Sequence, residues 1–172
     1  MPHLVQALFV AVFPALVITA ALRDVTSYTI PNWISLALVA GFGPAALAMG
    51  LPLPVLGLHL GVGVLGLVAG MAMFALGWIG GGDAKVFAAG ALWLGWPAVG
   101  AYAALTGLAG GGLALTLLAL RSGYLRPYVV TGPAWFSRLA EPGENVPYGL
   151  AIAVGALLAF PASPFMAAFS SV

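Results

Sequence analysis

Few residues in this chain can do acid, base or nucleophilic chemistry. Its 172 residues include two aspartates, Asp24 and Asp83, two glutamates, Glu141 and Glu144, two histidines, His3 and His59, one lysine, Lys85, and no cysteine. Two carboxyls that share a site cannot both ionise easily, so one keeps a proton while the other is charged. The charged one can take a proton from water, and the protonated one can polarise or protonate an amide. A pair of aspartates is therefore sufficient for aspartic peptidase chemistry, which asks for no metal, thiol, histidine or other cofactor. The lack of cysteine excludes structural disulfides, thiolate zinc sites, iron–sulfur clusters and a cysteine nucleophile. No H-E-x-x-H occurs, which argues against a zinc metalloprotease. A net charge of +1 leaves no basic patch for nucleic acid.

The elements that must position these groups are apolar. Charged residues make up 5% of the chain against roughly 25% in an ordinary soluble domain, and the hydrophobic fraction is 63%. Mean hydropathy is +1.13. A soluble fold of this size could not hide so much apolar side chain, because its surface needs far more polar cover, and disorder goes with the opposite composition. An integral membrane protein remains. The N-terminus has no basic n-region, so residues 4–22 read as a retained span and not as a cleaved signal peptide.

Charges divide the chain. Residues 1–22, 25–82, 86–120 and 145–172 are uncharged. A spanning helix needs about 20 apolar residues. The run Gly50-Leu51-Pro52-Leu53-Pro54 splits the second stretch, and Gly95-Trp96-Pro97 splits the third. The expected architecture is an all-α, six-transmembrane-helix bundle forming one domain over 1–172. Its spans are near 4–22, 33–50, 56–78, 84–96, 98–120 and 147–168, with a long loop at 121–146. Six spans put every charged side chain on one side, in loops 1–2, 3–4 and 5–6. The positive-inside rule makes that side cytoplasmic and both termini non-cytoplasmic. A single span over 86–120 gives five spans and sets Arg23 and Lys85 opposite Arg121, Arg126 and Arg138. The 84–96 span is short, so it must extend into its neighbours or begin within the membrane. In the 121–146 loop, Tyr128-Val129-Val130 through Trp135-Phe136 is apolar enough to lie in the interface.

This topology brings Asp24 and Asp83 to the same face at similar depth. Each also has a structural reading: Asp83 could cap its helix N-terminus, and Asp24 could pair with Arg23. Gly80-Gly81-Gly82 before Asp83 remove side chains where a substrate backbone must approach, or merely form a turn. Pro31 and Asn32 are ordinary helix-start signals. Lys85 either anchors at headgroups or tunes Asp83.

Three ordered motifs are similar to those of a known family. Asp24 with Ile30-Pro31-Asn32, then Gly80-Gly81-Gly82-Asp83-Ala84-Lys85, then Val146-Pro147-Tyr148-Gly149 resemble the type IV prepilin peptidases, intramembrane aspartic peptidases of the G-x-G-D type. The likeness runs from about residue 20 to 155. It implies Asp24 and Asp83 as catalytic residues, with Gly80, Gly82, Lys85, Pro31, Asn32, Pro147, Tyr148 and Gly149 near or supporting the site. It also implies a multi-pass protein of the prokaryotic cytoplasmic membrane, with its site toward the cytoplasm. There it would remove a short basic leader from a prepilin or pseudopilin. No cysteine-rich methyltransferase region is present, so the chain is similar to the short, peptidase-only members that serve Flp (tight-adherence) pili. Those members often carry basic residues before Ile-Pro-Asn, whereas this chain has Val25-Thr26-Ser27-Tyr28-Thr29. Glu141 and Glu144 are candidates to attract the basic leader.

Other functions use the same residues. A small cation or proton transporter or channel would hold Asp24 and Asp83 in mid-membrane. A serine–lysine peptidase would use Lys85 with Ser27 or Ser122. A non-catalytic pilus-assembly protein would keep the fold without the chemistry.

Overall fold

A computed structural model describes residues 2–125 and 132–170. Arg126, Pro127 and the first part of the expected interfacial stretch, residues 128–130, lie outside the described residues. Every regular element among the described residues is helical. In chain order these are α1 (Pro2–Ser27), α2 (Asn32–Ala48), α3 (Leu53–Ala75), α4 (Gly81–Leu120), α5 (Ala134–Leu139), α6 (Tyr148–Ala159), a 3-10 turn (Phe160–Ala162) and α7 (Pro164–Ser170).

Among the described residues, three helices are long and apolar enough to cross a membrane: His3–Ser27, Leu53–Ala75 and Gly81–Leu120. The pair Tyr148–Ala162 and Pro164–Ser170 would make a fourth if its 43° bend counts as one span, and α2 is a shorter apolar helix of 17 residues. The outward faces carry Leu47, Leu53, Leu65, Leu108 and Leu115, all strongly exposed. A water-soluble monomer does not display apolar surface on that scale, whereas lipid covers it at no cost. The protein is a membrane protein.

The 40-residue α4 is not one rod. Gly95 takes φ 60° and ψ −165°, and Trp96 is extended, so the helix is interrupted there. Pro97 has no N–H to continue the ladder. A straight helix would hold residues 87 and 102 about 22 Å apart. Instead the Phe87 and Tyr102 rings stack with centroids 4.9 Å apart, and the Tyr102 hydroxyl donates to the Phe87 carbonyl at 3.2 Å. The two arms, 81–94 and 97–120, therefore fold back on each other. His59 Nδ1–H reaches across from α3 and donates to the Leu92 carbonyl beside the break at 2.7 Å.

Small residues set the helix spacing. A Cβ on Gly70 would come within 2.9 Å of the Ala84 carbonyl, one on Gly66 within 2.7 Å of Ala91 Cβ, and one on Gly63 within 3.1 Å of Leu92 Cβ. Together with the His59–Leu92 bond, these contacts run antiparallel along α3 and the first arm of α4. Close approach of this kind is how helices associate where lipid removes the hydrophobic drive between them. A core of Phe13, Phe42, Trp93, Phe160 and Phe165 fills the end of the bundle near the α4 break.

The expected last span, 147–168, is bent: α6 ends at Ala159 and runs into the 3-10 turn, and α7 follows at 43°. Pro161 and Pro164 cannot donate to the helical ladder, and the chain bends between them.

The described charged residues gather at one end of the bundle. Arg23 and Asp24 lie in the last turns of α1, Asp83 and Lys85 at the start of α4, and Arg121 at its end. Arg121 donates to the Leu139 and Asn145 carbonyls at 3.0 and 3.1 Å, joining the end of α4 to the segment before α6.

The α3–α4 contact is testable. Gly70→Ala should destabilise the protein by about 1–3 kcal/mol, because the added methyl meets backbone. Gly61→Ala, with nothing within 4 Å of the new Cβ, should be neutral or slightly stabilising. Thermal unfolding in detergent micelles measures both.

Candidate active site

Asp24 and Asp83 meet at this charged end. Asp24 is held by the last turns of α1, which runs on past it to Ser27. Asp83 is the third residue of α4. Both are buried, with 5% and 6% of their surface exposed, and among the described residues neither has a cationic partner. Backbone N–H groups serve them instead. Gly149 N–H donates to Asp24 Oδ2 at 2.7 Å, and Gly80 N–H donates to Asp83 Oδ2 at 3.0 Å. Asp83 Oδ1 is buried with no partner. The two side chains line the same cavities.

Two adjoining cavities open onto the pair. One, of about 200 Å³, is lined by both aspartates with Tyr28, Gly80, Asn145 and Tyr148 among others. The second, of about 270 Å³, is lined by both aspartates with Tyr28, Thr29, Ile30 and Gly80 to Gly82. Each can hold water or an extended backbone beside the carboxylates.

The local sequence explains how the carboxylates come so close to backbone. Asp83 is the third residue of α4, and its carboxylate accepts the N–H of the N-cap residue Gly80, which is half of a capping box because glycine has no side chain to return the bond. The structural reading of Asp83 thus accounts for one oxygen, and the other stays free. Asp24 does not pair with Arg23. A Cβ on Gly149 would lie 2.9 Å from both Asp24 Cβ and Oδ2 and 2.9 Å from Ile30 Cδ1, so only glycine lets α6 start against α1. Gly82 is likewise closed by Ile30 Cβ at 3.1 Å.

The supporting candidates separate into two places. Gly80, Gly82, Tyr148 and Gly149 surround the carboxylates, and Pro147 is fully buried beside them. Pro31 is the N-cap of α2. Lys85 and Asn32 bond each other at 2.8 Å. They stand at the rim of a different, apolar groove of about 520 Å³ between α2, α3 and the first arm of α4. Lys85 therefore faces Asn32 and not Asp83.

Three residues near the site escape sequence reasoning. Ile30 wedges between Gly82 and Gly149. Tyr28 lines both cavities and is the sole non-glycine residue with positive φ among the described residues, at 53°. Such a conformation costs of order 1–3 kcal/mol and persists where the surroundings demand it. Burial, and then Glu144, push the Tyr28 phenol above its ordinary value, so it stays protonated near neutrality. Arg138 lies over the Tyr28 ring with its Cζ 4.9 Å from the centroid, and its Nε donates to Glu144 at 3.0 Å. A positive φ at a tyrosine has no sequence signature, because glycine and asparagine are the residues that announce it.

Two motif aspartates, drawn from helices far apart in sequence, thus share one glycine-lined, water-sized site. A model of the type IV leader peptidase family matches residues 11–120. The chain belongs to the type IV leader peptidase family. No curated protein and no solved structure matches it. The matched region contains both aspartates, Ile30-Pro31-Asn32 and Gly80 to Lys85. It stops short of Val146-Pro147-Tyr148-Gly149, which folding brings onto Asp24. Membership makes the chain, at the level of the family, a peptidase of the prepilin-processing kind.

The Asp24–Gly149 contact has a direct test. Gly149→Ala should cost about 1–3 kcal/mol by forcing α6 away from α1. Asp24→Asn keeps an oxygen for the Gly149 N–H and should change stability by no more than about 1 kcal/mol. Thermal unfolding of the two variants beside the parent protein distinguishes them.

Proposed function

We propose that the protein is an intramembrane aspartic endopeptidase that removes the short basic leader of a prepilin or pseudopilin at the cytoplasmic face, with Asp24 and Asp83 as the catalytic pair. The observation that carries this reading is the convergence of the chain's two aspartates, both buried, on common cavities.

The chemistry follows from that convergence. A water between the carboxylates gives a proton to the ionised one as its oxygen adds to the scissile carbonyl carbon. The protonated carboxyl donates a hydrogen bond to the carbonyl oxygen as negative charge builds there. Collapse of the tetrahedral intermediate breaks the C–N bond, and a carboxyl proton passes to the leaving amine. The leader departs with a new carboxylate and the mature chain with a new N-terminal amine. The unpartnered Asp83 Oδ1 is the oxygen free to receive the water's hydrogen bond. Glycines on both sides of the pair leave room for an extended substrate backbone. No methyl transfer belongs to the proposal.

The same reading orients the molecule. With the two arms of α4 counted separately and α6, the 3-10 turn and α7 as one bent span, the chain crosses six times. The charged end with Asp24 and Asp83 then faces the cytoplasm of a prokaryote, and both termini face away from it. The clustering of described charges at one end supports this orientation. A reporter fused at residues 96–98 should read as non-cytoplasmic, and a cytoplasmic signal would contradict the six-span topology. A transporter would hold its carboxylates at mid-depth, whereas Asp24 and Asp83 lie in terminal turns.

Activity is tested by co-expressing the protein with a candidate prepilin. The parent chain should shorten the substrate, and Asp24→Asn or Asp83→Asn alone should reduce processing at least about 10³-fold, as expected when one member of a cooperating pair is lost. Processing that persists in both variants would remove the pair from the mechanism.

A further inference from the structure

We infer that Tyr28 and Glu144 form a subsite for a cationic side chain at the mouth of the carboxylate cavity, filled in the resting protein by the chain's own Arg138. A cationic residue of the incoming leader displaces Arg138 and takes its place. The inference deepens the peptidase reading and rests on it for the identity of the incoming chain.

The occupant defines the chemistry. Arg138 Nε donates to Glu144 Oε1 at 3.0 Å, and its guanidinium carbon lies 4.9 Å from the Tyr28 ring centroid. A carboxylate on one side and an aromatic face on the other is a site that selects guanidinium and ammonium groups. Glu144 holds the Arg138 guanidinium above its ordinary range, and Glu141 adds to the negative field around it. Arg121, another guanidinium among the described residues, is engaged by the Leu139 and Asn145 carbonyls.

Position ties this subsite to the carboxylates. Tyr28 lines both cavities that contain Asp24 and Asp83. Asn145 and Val146, directly after Glu144, line one of them. Tyr28, whose backbone takes a positive φ, thus lines the carboxylate cavities and also meets Arg138 of the loop. A peptide reaching the aspartates from the loop side passes this ring and Glu144.

The occupant is also suited to leave. Arg138 is carried by α5, a six-residue helix, and its side chain is 46% exposed. Exposed ion pairs contribute little to stability, so an incoming cation competes on nearly equal terms. The glutamate beside Asn145 then has a role beyond general attraction, and Arg138 acts as an internal competitor.

Binding tests this without requiring cleavage. The full-length protein in detergent micelles is titrated into a fluorescein-labelled tetra-arginine peptide, with tetra-glutamine as the uncharged control, and polarisation is read. Arg138→Ala should tighten tetra-arginine binding about tenfold. Adding Glu144→Gln to Arg138→Ala should abolish that gain. Arg23→Ala, which removes an equal charge from an exposed position at the same end, should change affinity less than about twofold. An equal gain in Arg23→Ala would reduce the effect to net charge and overturn the subsite. A gain that survives Glu144→Gln would overturn it as well. Arg138→Gln repeats the measurement if the alanine variant unfolds. Failure here leaves the prepilin cleavage test unaffected, and failure of cleavage leaves this binding result standing.

Discussion

A carboxylate buried without a cation must be satisfied by backbone N–H groups, and the rest of this structure is arranged around that requirement. Ordinary helical N–H groups are spent on their own ladder, so donors are free only at helix starts. Asp24 takes the N–H of Gly149 in the first turn of α6, and Asp83 takes that of Gly80 at the start of α4. The first of these bonds joins residues 125 apart in sequence. It requires the C-terminal end of α1 to meet the N-terminal end of α6, and the cavities shared with Asp83 put the start of α4 at the same end of the bundle. The reversal of α4 at Gly95 and Trp96 permits this, because without it the chain would reach α6 from the opposite end.

Glycine is the second consequence. A backbone donor can approach a buried carboxylate to 2.7 Å only if nothing projects from the donor residue toward it, and Gly149 meets that condition. The same economy of side chain appears along α3, where Gly63, Gly66 and Gly70 let the first arm of α4 lie against it and fix the height of Asp83. Packing and site geometry therefore rest on one residue type for two reasons: close helix contact in lipid, and an open cavity beside the aspartates.

Much of this was legible in the sequence, for physical reasons that differ by element. The all-helical membrane character follows from bulk hydropathy, and the breaks at Gly50 to Pro54 and Gly95 to Pro97 follow from residues that cannot continue a helix. Asp24 and Asp83 could be paired because an apolar chain with two aspartates leaves few partners, and because the motifs around them are ordered as in a known family. The bend after Ala162 is invisible to hydropathy, which is blind to direction, although Pro161 and Pro164 mark the place. The Lys85–Asn32 bond, the Ile30 wedge and the stacking of Arg138 on Tyr28 depend on how distant turns meet, and no local pattern encodes them. Tyr28 in particular takes a conformation that its side chain disfavours, which only tertiary context imposes.

The central claim is that Asp24 and Asp83 act as one electrostatic unit. Since the chain has only two aspartates, carboxyl-labelled [¹³C]aspartate would give two side-chain resonances in micelles, each assigned by one asparagine substitution. Titrating Asp24 in the parent protein and again in Asp83→Asn measures their coupling directly. A shared site predicts that neutralising Asp83 displaces the Asp24 titration by about one pH unit or more. An Asp24 midpoint that is the same in both proteins would mean two independent carboxylates and would contradict the account.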